Sequence, residues 1–135
     1  LDQDLLDTEF GKMPILHNGK LVPWEDFAAG RAISASYGKR ASDINDEKIL
    51  QEIAHNLTLG IGPACSVFQP DAIVLGGGVG SQAEKFSKYI LDELKNILHP
   101  VIRQPKAILP SHYGEDSVIF GGYERAKEVY GQTSQ

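Results

Sequence analysis

The chain has 135 residues, a formal net charge of −5 and 23% charged residues, which is long enough for one domain with a core and too ordinary in composition for a disordered or fibrous protein. No Lys/Arg cluster offers a footprint for nucleic acid or an anionic membrane. No apolar run approaches about 18 residues either, so neither a membrane span nor an export signal is expected, and the cytoplasm is the default location. The single cysteine, Cys65, excludes an internal disulfide and a cysteine zinc cluster; inside an apolar helical pattern it reads as a buried structural thiol in a reducing compartment.

The sequence opens on the acidic, unpatterned Leu1-Asp2-Gln3-Asp4-Leu5-Leu6-Asp7 and begins with leucine, as a piece of something longer would. From Met13 to Val22, Asn18-Gly19 stands between Ile15-Leu16 and Leu21-Val22, the composition of a hairpin with a two-residue type I′ turn. Pro23 suits the first turn of a helix with Glu25 and Asp26 at its positive end. Phe27, Ala28, Ala32 and Ala35 give that helix a narrow apolar face up to Gly38.

From Asp46, the residues Ile49, Ile53, Leu57, Ile61, Ala64 and Phe68 recur at helical spacing, while Gly60, Gly62 and Pro63 interrupt the backbone ladder. A long helix kinked near Pro63 is expected, ending before Gln69-Pro70.

The most informative stretch follows. Ala72-Ile73-Val74-Leu75 lacks the alternation of a half-exposed strand and reads as a strand covered on both faces, which favours a parallel α/β sheet. It stops on Gly76-Gly77-Gly78, where the absence of side chains allows positive φ and close approach of another molecule. Ser81-Gln82-Ala83-Glu84 has the form of a capping box, and Ala83, Phe86, Ile90, Leu94 and Ile97 continue a helix to about Leu98. A glycine turn facing a helix N-terminus suits a nucleotide. An ordinary strand-to-helix turn with surplus glycine is the competing reading. A dinucleotide fingerprint fails on spacing, because Ser81 stands where its third glycine belongs.

Pro100 and Pro105 bracket a loop, after which Ala107-Ile108-Leu109 reads as a second strand parallel to the first. A last helix is expected from about Asp116 to Tyr130, carrying Val118, Ile119, Ala126 and Val129 and enclosing Gly121-Gly122. Four strongly helical elements against two or three short strands are lopsided for a whole α/β domain, so the rest of a sheet is expected elsewhere.

The order of these features resembles the C-terminal portion of the ROK family, which includes sugar kinases and sugar-responsive repressors. The resemblance runs from about Glu9 to Val129. Ile73 to Val79 is similar to the superfamily's adenosine motif, Trp24 to Ile33 to its Glu-x-x-x-Ser-Gly helix, and Ile119-Phe120-Gly121-Gly122 to its closing Gly-Ala helix. The implied fold class is α/β, the C-terminal lobe of an actin-like (ribonuclease H-like, hexokinase-like) ATPase, with residues 1–135 as one lobe. Residues 9–22 would form the loop and hairpin at the sugar side, and 71–135 the adenosine-motif strand, helix, strand and closing helix.

By the same resemblance, Gly76, Gly77 and Gly78 would line the adenine and ribose side of an ATP site, with Gly30 nearby on the opposing helix. Glu9-Phe10-Gly11-Lys12 stands where the family's Glu-x-Gly-His contacts the sugar, and Glu25 would be a second sugar-binding carboxylate. Carboxylates suit sugar hydroxyls because they accept strong charge-assisted hydrogen bonds. Apart from the resemblance, Glu25 reads as an acid complementing a helix N-terminus and Glu9 as a solvated loop charge.

Three positions depart from the pattern. Lys12 replaces the family's histidine with a point charge of three donors, Ala29 replaces the usual serine before Gly30, and Asp7-Thr8 precede Glu9 where small residues and glycine are favoured. No zinc is expected, because the cysteine cluster that would complete such a site is absent. His17, His55, His99 and His112 lack metal-ligand spacing and read as structural or solvated.

Phosphoryl transfer needs a cradle for the β and γ phosphates, Mg²⁺ and a catalytic carboxylate, and this sequence shows no cradle. In the family those parts precede the position where this chain begins, so the chain alone is expected not to be a competent kinase. Three readings follow: the C-terminal lobe of an ATP-dependent, glucokinase-like sugar kinase that closes against an N-terminal lobe; the sugar-sensing lobe of a repressor, touching nucleic acid only through an upstream helix-turn-helix; and a non-catalytic interaction module. A lobe without its partner would expose an apolar patch, which favours pairing of copies.

Overall fold

The computed structural model describes residues 10–111 and the backbone of 118–121. Glu9, His112 and all of the expected last helix except 118–121 lie outside the described residues.

A single 3-10 turn at Phe10–Lys12 leads into the hairpin of β1 (Pro14–His17) and β2 (Lys20–Pro23). Leu16 pairs with Leu21 and His17 with Lys20, and both turn residues take positive φ, 51° at Asn18 and 81° at Gly19. That is the backbone a type I′ turn demands and the reason Asn-Gly is legible there.

Pro23 closes β2 instead of opening a helix, and the expected helix up to Gly38 is two. Helix α1 (Glu25–Ala28) ends at Ala29, whose φ of −73° and ψ of 159° are extended, and α2 (Gly30–Tyr37) starts afresh. The expected face shifts with the break. Ala28 and Ile33 are buried, whereas Ala35 is exposed. Gly38, in the left-handed region at φ 70°, ends α2 where the sequence indicated.

Helix α3 (Glu47–Phe68) is the spine of the molecule and stays helical through Pro63. Asp46 caps it, its Oδ1 accepting from the amides of Lys48 at 2.9 Å and Ile49 at 3.3 Å. Ile53, Leu57, Ile61 and Ala64 form its buried stripe. Cys65 is buried beside them, and burial pushes its thiol pKa up to about 12, the inert thiol expected.

Strand β3 (Ala72–Leu75) is buried along its whole length, with α4 (Gly77–Gly80), α5 (Ala83–Ile97) and β4 (Ala107–Pro110) following. β4 pairs with β3 in parallel, Ala72 opposite Ala107 and Leu75 opposite Pro110. Helix α5 covers the sheet and packs on α3, burying Ala83, Phe86, Ile90 and Leu94. Each of its larger apolar side chains contributes about 1.5–3 kcal/mol. Ile97, expected on the same face, is 56% exposed.

Two expectations are overturned here. Ser81 does not cap α5: the N-cap is Gln82 with no side-chain cap, and Ser81 Oγ donates to the Gly78 carbonyl at 2.9 Å. The capping box fails because Ser81 is itself helical, at φ −61° and ψ −19°, and closes the glycine turn instead. Residues Val118–Gly121 are not helical but form β5, antiparallel to β3 with Leu75 opposite Val118 and Ala72 opposite Gly121. A short run of β-branched and aromatic residues next to an unpaired edge of a buried strand satisfies backbone groups on both sides, which a helix interrupted by glycine would not. The sheet order is β4-β3-β5, and the architecture is α/β.

Candidate functional site

The candidate residues fall in two clusters, and helices α1 and α2 join them. In the first, Glu25 opens α1 and its Oε1 accepts from Lys12 Nζ at 2.5 Å. Arg31 Nη2, on α2, stands 3.6 Å from the same oxygen. The other oxygen, Oε2, packs where a Cβ on Gly11 would come within 2.8 Å of it, so Gly11 is the residue that lets the 3-10 turn close over the carboxylate. The bond from Lys12 holds the Glu25 carboxyl below the usual carboxylate range, against a smaller opposing effect of desolvation. The break at Ala29 aims α2 so that Arg31 returns to Glu25, a geometry that one straight helix would not give.

The second cluster is the exit of β3. Gly77 alone among the turn glycines has positive φ, 70°, so the expectation of freedom at Gly76, Gly77 and Gly78 narrows to one position. Gly78 is exposed, with nothing within 4 Å of where its Cβ would be. The sequence reading missed Gly80. A Cβ there would overlap the carbonyl of Leu75, so this glycine, not the middle of the run, folds the chain back on the strand. Its signal was the fourth glycine of Gly-Gly-Gly-Val-Gly, four residues after the first.

The clusters meet through Gly30, the first residue of α2, where a Cβ would lie 3.9 Å from Val79 Cγ2 and 4.0 Å from the Val79 amide nitrogen. Lys12, Glu25 and Gly30 are therefore brought to one side of the fold with the glycine turn. Arg31, which the sequence reading passed over, follows Gly30 and faces Glu25. The turn is anchored from behind: Lys85 Nζ donates to the carbonyls of Ala41 at 3.3 Å and of Ser42 and Ile44 at 3.0 Å each, tying α5 to the loop that precedes α3.

The histidines have other partners. The His17 ring stacks on Phe27 with centroids 3.9 Å apart, His55 Nδ1 pairs with Glu93 Oε1 at 2.7 Å, and His99 Nδ1 accepts from the Val101 amide. Among the described residues, no group of three His, Cys, Asp or Glu could hold a metal ion. No helix there is long and apolar enough to cross a membrane.

A family model described as "ROK family" matches residues 8–128. A protein of Bacillus subtilis (strain 168) named "Putative fructokinase" is 28% identical over 106 residues, covering 73% of this chain and 35% of that protein. The chain thus spans about a third of the length of that curated relative.

Proposed function

The chain belongs to the ROK family, and on that premise we propose that it forms the C-terminal lobe of an ATP-dependent sugar kinase with the actin-like ATPase fold. It would contribute the adenosine pocket and part of the sugar site, and would act only when closed against an N-terminal lobe. The observation that carries this reading is Gly78, which offers bare, exposed backbone with open space beside it at the exit of a fully buried parallel strand. Backbone bare of side chains at Gly78 would let a base and its ribose approach, with Gly76, Gly77 and Gly78 holding them from one side and Gly30 from the other.

Glu25 would accept hydrogen bonds from the sugar hydroxyls, with Glu9 as a second acceptor. Lys12 keeps Glu25 ionised and therefore an acceptor only. ATP with Mg²⁺ supplies the phosphoryl group. The residues that would hold the metal are not among the clusters described, and we place them in the N-terminal lobe. The use of ATP and a free hexose places the protein in the cytoplasm. Pairing of two copies remains part of this reading.

A coupled assay of the full-length protein with a panel of hexoses tests it. Turnover of at least one hexose with ATP is the expected result, and no turnover with any sugar at saturating ATP sinks it. Saturable sugar binding without turnover would assign the lobe to a sugar sensor instead.

A further inference from the structure

We propose that Arg31 is the residue of this lobe that grips the phosphoryl group in transit between nucleotide and acceptor. The inference rests on the kinase reading above and deepens it.

Three observations carry it. The first is place: Arg31 follows directly on Gly30, where a Cβ would lie 3.9 Å from Val79 of the glycine turn, and its guanidinium reaches to within 3.6 Å of Glu25. It is the sequence neighbour of a residue assigned to the nucleotide and faces the carboxylate assigned to the acceptor.

The second is an incomplete ion pair. The Glu25 oxygen that Arg31 faces already takes the shorter bond, 2.5 Å, from Lys12, and 3.6 Å is beyond a hydrogen bond. A solvent-exposed pair of that length contributes little. The planar fork of five donors matches the geometry of a phosphate oxyanion.

The third is exposure. The Arg31 side chain is 71% exposed while Glu25 is 24% exposed, so the cation and not the carboxylate faces the open side. In a chain of net charge −5, a site that presents a guanidinium outward beside a lysine is adapted to negative charge.

In phosphoryl transfer, charge on the three equatorial oxygens needs donors fixed in advance. The acceptor hydroxyl oxygen gains the bond to phosphorus, the bridging oxygen departs with ADP, and the hydroxyl proton passes to a carboxylate base. Arg31 forms no covalent bond and gives up no proton; it holds the oxygens while the phosphorus moves.

The test uses the full-length protein and two readouts. Kinetically, Arg31→Gln lowers kcat by about 10²-fold to 10³-fold with the KM for hexose changed by less than about threefold, and Arg31→Lys recovers part of the loss. The second readout is the Nε–Hε resonance of Arg31, assigned by its disappearance in Arg31→Gln. ATP shifts it and AMP does not, because only ATP carries the transferred phosphoryl group, and the hexose phosphate product shifts it beyond the change that free hexose makes through Glu25. An unchanged kcat in Arg31→Gln while the native protein turns over overturns the inference and leaves the kinase reading intact. If the native protein phosphorylates no sugar, the kinase reading falls, and the resonance still decides on Arg31: a response to ATP but not AMP upholds its phosphoryl contact, and an equal response to both, or none, removes it.

Discussion

Gly60 presents bare helix backbone to the indole of Trp24. A Cβ on Gly60 would overlap the Trp24 ring, and Trp24 Nε1 donates at 3.0 Å to the carbonyl of Asn56, one turn earlier on the same helix. Trp24 is 3% exposed and immediately precedes Glu25, so this contact seats the helix that carries the candidate acceptor carboxylate.

Gly60→Ala should therefore destabilise the fold despite the better helix propensity of alanine. Overpacking costs about 1–3 kcal/mol, and propensity returns about 1 kcal/mol. Urea unfolding should show a net loss of up to about 2 kcal/mol, and Trp24→Phe in the same chain should relieve part of it. Additive effects of the two substitutions would contradict direct contact.

The glycine turn should respond oppositely at two positions. Gly80→Ala drives a Cβ into the Leu75 carbonyl, where no rotamer offers escape, and a loss of about 3 kcal/mol or more is expected. Gly78→Ala meets open space and should leave stability within about 0.5 kcal/mol. Gly78→Leu should also fold, with its thermal midpoint little changed, yet weaken ATP binding at least tenfold by calorimetry on the full-length protein.

Lys12→Gln should raise the titration midpoint of the Glu25 carboxyl, followed by carbon-13 NMR, because the bond from Lys12 is the largest cause of its depression. The sign fixes the window. A carboxyl lowered by folding adds stability above its unfolded pKa of about 4.3, and this is lost as pH falls through the folded value. The difference in stability between native protein and Lys12→Gln should shrink below about pH 4 and stay constant near neutrality.

Cys65 predicts an alkaline transition. Its thiol rises from 9.0 to about 12 through burial, so the unfolded state loses the proton first. The associated stability is complete below about pH 8.5 and disappears as pH climbs towards the folded value. Native protein at pH 8 should not react with a thiol reagent within the time that unfolded protein reacts fully. Cys65→Ala should flatten the fall in stability between pH 9 and pH 11. Tyr37 and Tyr89, raised by burial and by Glu52 and Glu47, leave a residual slope of the same sign.

Much of the fold was legible because it is written locally. Asp46 and the spacing from Ile49 to Ala64 specify α3, Asn18-Gly19 specifies the hairpin turn, and the unbroken apolar run from Ala72 to Leu75 specifies a strand covered on both faces. The misreadings share a cause. Ala29 is a good helix former, and it is extended because Gly30 must meet Val79 while Ile33 enters the core. Val118–Gly121 is strand because β3 offers it an edge, and Ser81 bonds Gly78 because Gly80 folds the turn under Leu75.

The candidate site divides in the same way. The sequence by itself offered Lys12, Glu25, Gly30 and the glycine run as candidates, through residue type and the resemblance, and passed over Arg31 and Gly80. Only the tertiary structure decided that Lys12 and Arg31 share one oxygen of Glu25, that Gly78 faces open space while Gly80 is locked, and that Gly30 joins the two clusters. Those are contacts between distant parts of the chain, fixed by how α1, α2 and the glycine turn pack on the α3 and α5 core, and no local pattern of residues encodes such distances.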